Sequence, residues 1–188
     1  MTHRKISSTL FWISPGTYFY LALLVLLLPL QWLFAMAVSA AVHELGHLLA
    51  MVLLKLPIQG ISIFPTGVRI RTQPLNDKQE LICAAAGPMC GACMIFLAEW
   101  FPGLALVSAF HSLYNLLPVY PADGGRILCC LSNLLLPGRI TDTLTQVVQW
   151  GTVCLVLLLG GYAAFVLHLG LLPLLAGIAM ALGALKRK

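Results

Sequence analysis

Residues 33–54 read LFAMAVSAAVHELGHLLAMVLL, and this stretch decides the fold. It is long enough to cross the roughly 30 Å hydrocarbon core of a bilayer as a helix, which takes about 20 apolar residues. Yet it carries three ionisable side chains, His43, Glu44 and His47, in the middle of its length. Such groups are costly in lipid and mark function by default. The rest of the chain agrees with a membrane setting. Of its 188 residues, 60% are hydrophobic and only 9% charged, with a mean hydropathy of +0.95. Soluble domains carry about 25% charged residues. So few charges cannot cover a water-facing surface, which excludes a soluble enzyme, a disordered binder and a nucleic-acid module.

Working outward, further apolar runs predict spans near residues 17–30, 80–98, 104–117, 144–159 and 163–185, with the Gly160–Gly161 pair as the turn between the last two. The expected fold is therefore an all-α polytopic membrane protein of about six transmembrane helices, a single domain over residues 1–188. The net charge of +5 is distributed accordingly. Arg4, Lys5, Lys55, Arg69, Arg71, Lys78, Arg139, Lys186, Arg187 and Lys188 all fall on one side of a six-span arrangement, and the opposite loops lack Lys and Arg. Basic residues stay on the cytoplasmic side, so both termini are expected there, with no nucleic-acid partner. The apolar stretch after Arg4 and Lys5 continues past Ala35-Met36-Ala37, longer than the 7–15 residues of a signal peptide, and reads as an uncleaved anchor.

Between the second and third spans, Ile58–Ile63 and Val68–Arg71 alternate with period two around Pro65-Thr66-Gly67, predicting a short β-hairpin at the cytoplasmic membrane face. Cys83, Cys90, Cys93, Cys129, Cys130 and Cys154 lie in apolar stretches and read as packing residues, including the Cys90–Cys93 pair.

His43-Glu44-Leu45-Gly46-His47 is an H-E-x-x-H motif. Residues four apart share a helix face, so both imidazoles can reach one metal ion, with Glu44 beside them as general base toward an attacking water. A catalytic zinc site usually has three protein ligands. Asp123, Glu99, His111 and His168 are the candidates. Glu99 and His168 fall near the external span ends. Asp123 follows Pro118 and Pro121, which interrupt the helix, and precedes Gly124-Gly125, which allow unusual backbone angles. Irregular backbone at membrane depth is tolerated only inside protein or beside water, so this carboxylate is well placed to face a metal. His111 lies four residues before Asn115 and could share that face. Arg126, one turn past Asp123, could snorkel to the cytoplasmic face or pair with Asp123.

This motif, followed by Ala86-Gly87-Pro88, by Asn115-Leu116-Leu117-Pro118 and by Pro121-Ala122-Asp123-Gly124-Gly125, resembles the site-2 protease family of intramembrane zinc metalloproteases, most nearly its small sporulation branch. The resemblance is specific over about residues 33–126. It implies one Zn2+ ion held by His43, His47 and Asp123, Glu44 as catalytic base, and Asn115 holding substrate or stabilising the oxyanion. It also equates Gly60–Thr72 with membrane-associated strands beside the active site, and leaves no room for the PDZ or CBS domains of larger relatives. Ala122 departs from the usual leucine, which bears on substrate more than on chemistry. The expected function is hydrolysis of a membrane-tethered protein substrate in a bacterial cell membrane, in the sporulation case a sigma-factor precursor, with inhibitory membrane partners. The rivals are a metal transporter or sensor using the same ligands, and a catalytically dead adaptor.

Overall fold

The computed structural model describes residues 11–64, 67–168 and 170–185. Helix α2 (Leu30–Leu53) runs through the deciding stretch without interruption. At 1.5 Å per residue it is about 36 Å long. Its amphipathicity is inverted: Ala35, Ser39, His43, Gly46, His47 and Ala50 are buried at intervals of three and four, whereas Leu45, Leu49, Val52 and Leu53 face outward. Small and polar residues meet the protein, and leucine meets the lipid. The helix ends where Lys55 takes the left-handed conformation, φ 55°, a conformation that commonly terminates helices.

Before α2 come strand β1 (Phe11–Ile13) and helix α1 (Pro15–Leu27); Pro29 separates α1 from α2. After it, β2 (Gly60–Phe64) and β3 (Gly67–Arg71) pair antiparallel, Ser62 opposite Arg69, as the alternation predicts. The hairpin is extended by a strand the sequence did not announce. β1 pairs parallel to β2, Trp12 opposite Ser62, giving the order β1-β2-β3. Phe11-Trp12-Ile13 is too short and uniformly apolar to show a period of its own. Pro65 and Thr66 of the expected turn lie outside the described residues.

Helix α3 (Asp77–Cys93), continued by a 3-10 turn (Met94–Leu97), starts at a capping box in which the Asn76 and Gln79 side chains accept from each other's backbone amides. Then follow α4 (Pro102–Asn115), α5 (Asp123–Leu135), α6 (Gly138–Phe165) and α7 (Leu172–Leu185). Helix α2 packs on α3 and α4, α3 on α5, and α6 on α5 and α7. Two apolar clusters fill the interior: Ala50, Met51, Leu56 and Cys83 beneath the histidines, and Val119, Val153, Met180 and Ala184 behind the loop before α5.

Among the described residues, three helical stretches are long and apolar enough to cross a membrane: Leu30–Leu53, Asp77–Leu97 and Ile140–Phe165. The protein is an integral membrane protein on that ground. Helices α1 and α4, the fifth helix and α7 have only 13 or 14 residues each, about 20 Å, so helix length alone does not give the sixfold crossing. Two boundaries differ from expectation. Residues 123–135 form a helix that hydropathy did not reveal, because its inner face is polar. And Gly160–Gly161 is helical inside α6; the chain turns after Phe165. Gly160 is needed for space, since a Cβ there would lie 2.9 Å from the Pro173 carbonyl oxygen of α7.

Candidate metal centre

The i, i+4 spacing on α2 places the His43 and His47 Nε2 atoms 3.2 Å apart. Asp123, the first residue of α5, closes the group: its Oδ2 lies 3.1 Å from His43 Nε2 and 3.2 Å from His47 Nε2. All three side chains are buried. Donors bound about 2.0–2.1 Å from a tetrahedral zinc ion stand about 3.3 Å from one another, so the spacing fits. Electrostatics agree. His47 Nδ1 is 2.7 Å from the Cys83 carbonyl oxygen, an acceptor only, so Nδ1 carries the proton and Nε2 presents a lone pair. That lone pair and the carboxylate converge on one point, which calls for a cation. Among the described residues these are the one group of three metal-capable side chains; Glu99 and His168 do not join it.

Space is cut to measure by glycine. A Cβ at Gly87 of α3 would overlap the His47 ring. At Gly124 and Gly125 it would overlap the backbone of Leu116–Leu117 and of Val119–Tyr120, the loop that folds back over the start of α5. Both glycines are helical, so the reason for glycine here is close approach and not, as the sequence suggested, unusual backbone angles. Gln149 of α6, buried, supports the same loop by accepting the Tyr120 backbone N–H at 3.3 Å.

Glu44 is half-buried and stands outside the ligand trio, near enough to the backbone amide of Val68 in β3 for the two to interact. The hairpin thus reaches the site. Asn115 ends α4, and one of its two amide N–H groups bonds the His111 carbonyl at 3.0 Å. His111 is no member of the trio. It hydrogen-bonds Ser39 at 3.1 Å and stacks on His43, ring centroids 4.8 Å apart. Arg126 pairs with Asp123 Oδ1 at 3.1 Å and also with Glu80 Oε1 at 2.7 Å. Sequence reasoning missed Glu80, Gln149 and Ser39. A signal existed for Glu80: with the Asp123 charge committed to a metal ion, an arginine at membrane depth needs another carboxylate to balance it. No disulfide joins any of the six cysteines among the described residues.

No protein-family model matches the chain. Over 145 residues, 68% of its length, it is 30% identical to stage IV sporulation protein FB of Bacillus subtilis, covering 48% of that protein. Over 105 residues it is 29% identical to zinc metalloprotease MJ0392 of Methanocaldococcus jannaschii, covering 31% of it. The chain thus spans half or less of these curated relatives. Among solved structures it superposes on a site-2 protease from Methanocaldococcus jannaschii with a TM-score of 0.64 at 20% identity, covering 93% of this chain and 88% of that one. The chain has the site-2 protease fold. The resemblance read from the motifs therefore holds in both sequence relatives and architecture. Within the site-2 protease fold as built here, the histidines come from α2, the aspartate from α5, and the hairpin lies against Glu44.

Proposed function

We propose that the chain is an intramembrane zinc metalloendopeptidase that cuts a membrane-tethered protein substrate. The observation that carries this reading is the convergence of His43, His47 and Asp123 at zinc-ligand spacing with Glu44 next to them and outside the trio. Zinc held by these three residues supplies the Lewis acidity that makes water nucleophilic at neutral pH. Glu44 takes the proton of the attacking water and delivers it to the leaving amine. Asn115 has a second amide N–H with which to stabilise the oxyanion. His47 is held in its productive tautomer by the Cys83 carbonyl.

A substrate helix must unwind before a peptide bond is exposed. The Gly60–Thr72 segment holds the unwound strand by β-addition, supported by the contact of the Val68 amide with Glu44. Six crossings with both termini cytoplasmic remain our reading, supported by the one-sided placement of Lys and Arg; the terminal basic residues lie outside the described ones. The sporulation relative favours a membrane-tethered sigma-factor precursor as substrate, with inhibitory membrane partners. A transporter or sensor has no use for a general base so placed.

Co-expression with tagged membrane-tethered pro-proteins, followed by blotting, tests the reading. A shortened product with the wild-type chain and none with Glu44→Gln is expected. Equal product from both would overturn it.

A further inference from the structure

Asp123 uses its two oxygens differently. Oδ2 faces the histidine pair, and Oδ1 accepts from Arg126 Nη1 at 3.1 Å. Arg126 in turn commits its Nε to Glu80 Oε1 at 2.7 Å, so one guanidinium is split between carboxylates on α3 and α5. Guanidinium ordinarily prefers a two-pronged grip on a single carboxylate. The split is therefore informative. We propose that Arg126 and Glu80 are positioning residues that keep Asp123 a one-oxygen ligand, an inference that rests on the metal-centre reading above.

The logic is one of competition. Arg126 occupies Oδ1 and stops the carboxylate from swinging both oxygens into the site. Glu80 occupies Arg126 and stops it from taking both oxygens of Asp123 away from the site. Loss of either partner perturbs the same carboxylate in opposite senses. Without Arg126, the second oxygen is free to approach the ion and raise its coordination number. Without Glu80, an uncompensated guanidinium competes with the ion for the ligand. Outer-shell partners of metal ligands typically change metal affinity by about 10–100-fold.

A merely structural role would be to tie α3 to α5. The pair Asp77–Asn133 does that too, Asn133 Nδ2 donating to Asp77 Oδ1 at 3.0 Å, without touching Asp123. Asn133→Ala is therefore the control.

The test uses the full chain purified in detergent, stripped of metal and titrated with Zn2+ and with Co2+, whose visible absorption weakens as four-coordination gives way to five. Arg126→Gln is expected to reduce the cobalt band, as Oδ1 becomes free to approach the ion, with a smaller change in Zn2+ affinity than the about 10–100-fold typical of a lost outer-shell partner. Glu80→Gln is expected to weaken Zn2+ binding more than Arg126→Gln does, and the double variant to return to the Arg126→Gln value. Arg126→Lys, which keeps the charge but has no fork to split, should fall between wild type and Arg126→Gln. Asn133→Ala should match wild type in both readouts. Wild-type affinity and spectrum in Arg126→Gln overturn the inference, as does an Asn133→Ala spectrum shifted as far as that of Arg126→Gln. If Arg126→Gln fails to fold, wild-type affinity in Glu80→Gln overturns it equally. A wild-type chain that takes up no cobalt sinks the metal-centre reading itself.

Discussion

The two halves of the metal centre are built in contrasting ways. The histidine half sits on one uninterrupted helix, where a four-residue spacing alone brings the two Nε2 atoms to 3.2 Å. The aspartate half sits at a loop-to-helix junction. It is set by Val119 wedged into the α6–α7 cluster, by Gln149 on the Tyr120 amide, by two glycines under the folded-back loop, and by Arg126 shared with Glu80. Local geometry makes the first half; contacts from α3, α6 and α7, together with the loop's own return over the start of α5, make the second. Damage should therefore be local and severe in the first, distributed and graded in the second.

The largest effect expected is on turnover. Glu44→Gln should cut cleavage by at least the ~10²–10⁴-fold typical of a lost general base while metal content, read by elemental analysis, stays at one ion per chain. Metal lost together with cleavage would make Glu44 a ligand and redraw the histidine half. Next come the ligands. His43→Ala and Asp123→Ala should each abolish stoichiometric zinc retention through gel filtration, since three protein ligands are the usual minimum of a catalytic site. Full retention in Asp123→Ala would show that the aspartate half is dispensable, with His111 the first residue to examine as its replacement.

Gly87→Ala probes the packing of the histidine half. Its Cβ would overlap the His47 ring, and overpacking of a filled interior costs about 1–3 kcal/mol. Lower thermal stability and weaker zinc binding should appear together, and wild-type values for both would mean that the ring has room to move. The mildest effect belongs to the aspartate half. Gln149→Leu removes the part-buried hydrogen bond from the Tyr120 amide, a loss of about 0.5–1.5 kcal/mol. The thermal midpoint should fall while the metal remains bound. A variant that loses all its zinc would show that the loop has no redundant support.

The sequence by itself determined whatever depends on neighbours along the chain. The inward polar face of α2 follows from spacing, the hairpin from period-two alternation, and the membrane setting from composition. The pairing of His43 with His47 is of this kind, because helical rise and turn are the same wherever the helix sits. Asp123 was one of four candidates on the same reasoning, singled out by the backbone break and by family resemblance but not by any spacing that ties it to residues 43 and 47. Only the tertiary structure decided that α5 starts at Asp123 and turns it toward α2, that the paired glycines serve close approach, and that Glu80 shares Arg126. It also added β1 to the hairpin and carried α6 straight through Gly160–Gly161. The physical reason is common to all of these. In lipid, hydropathy no longer distinguishes inside from outside, since leucine covers both the surface and much of the chain. What sets the interior is which small and polar groups from distant segments fit against each other, and that is a property of the packed molecule.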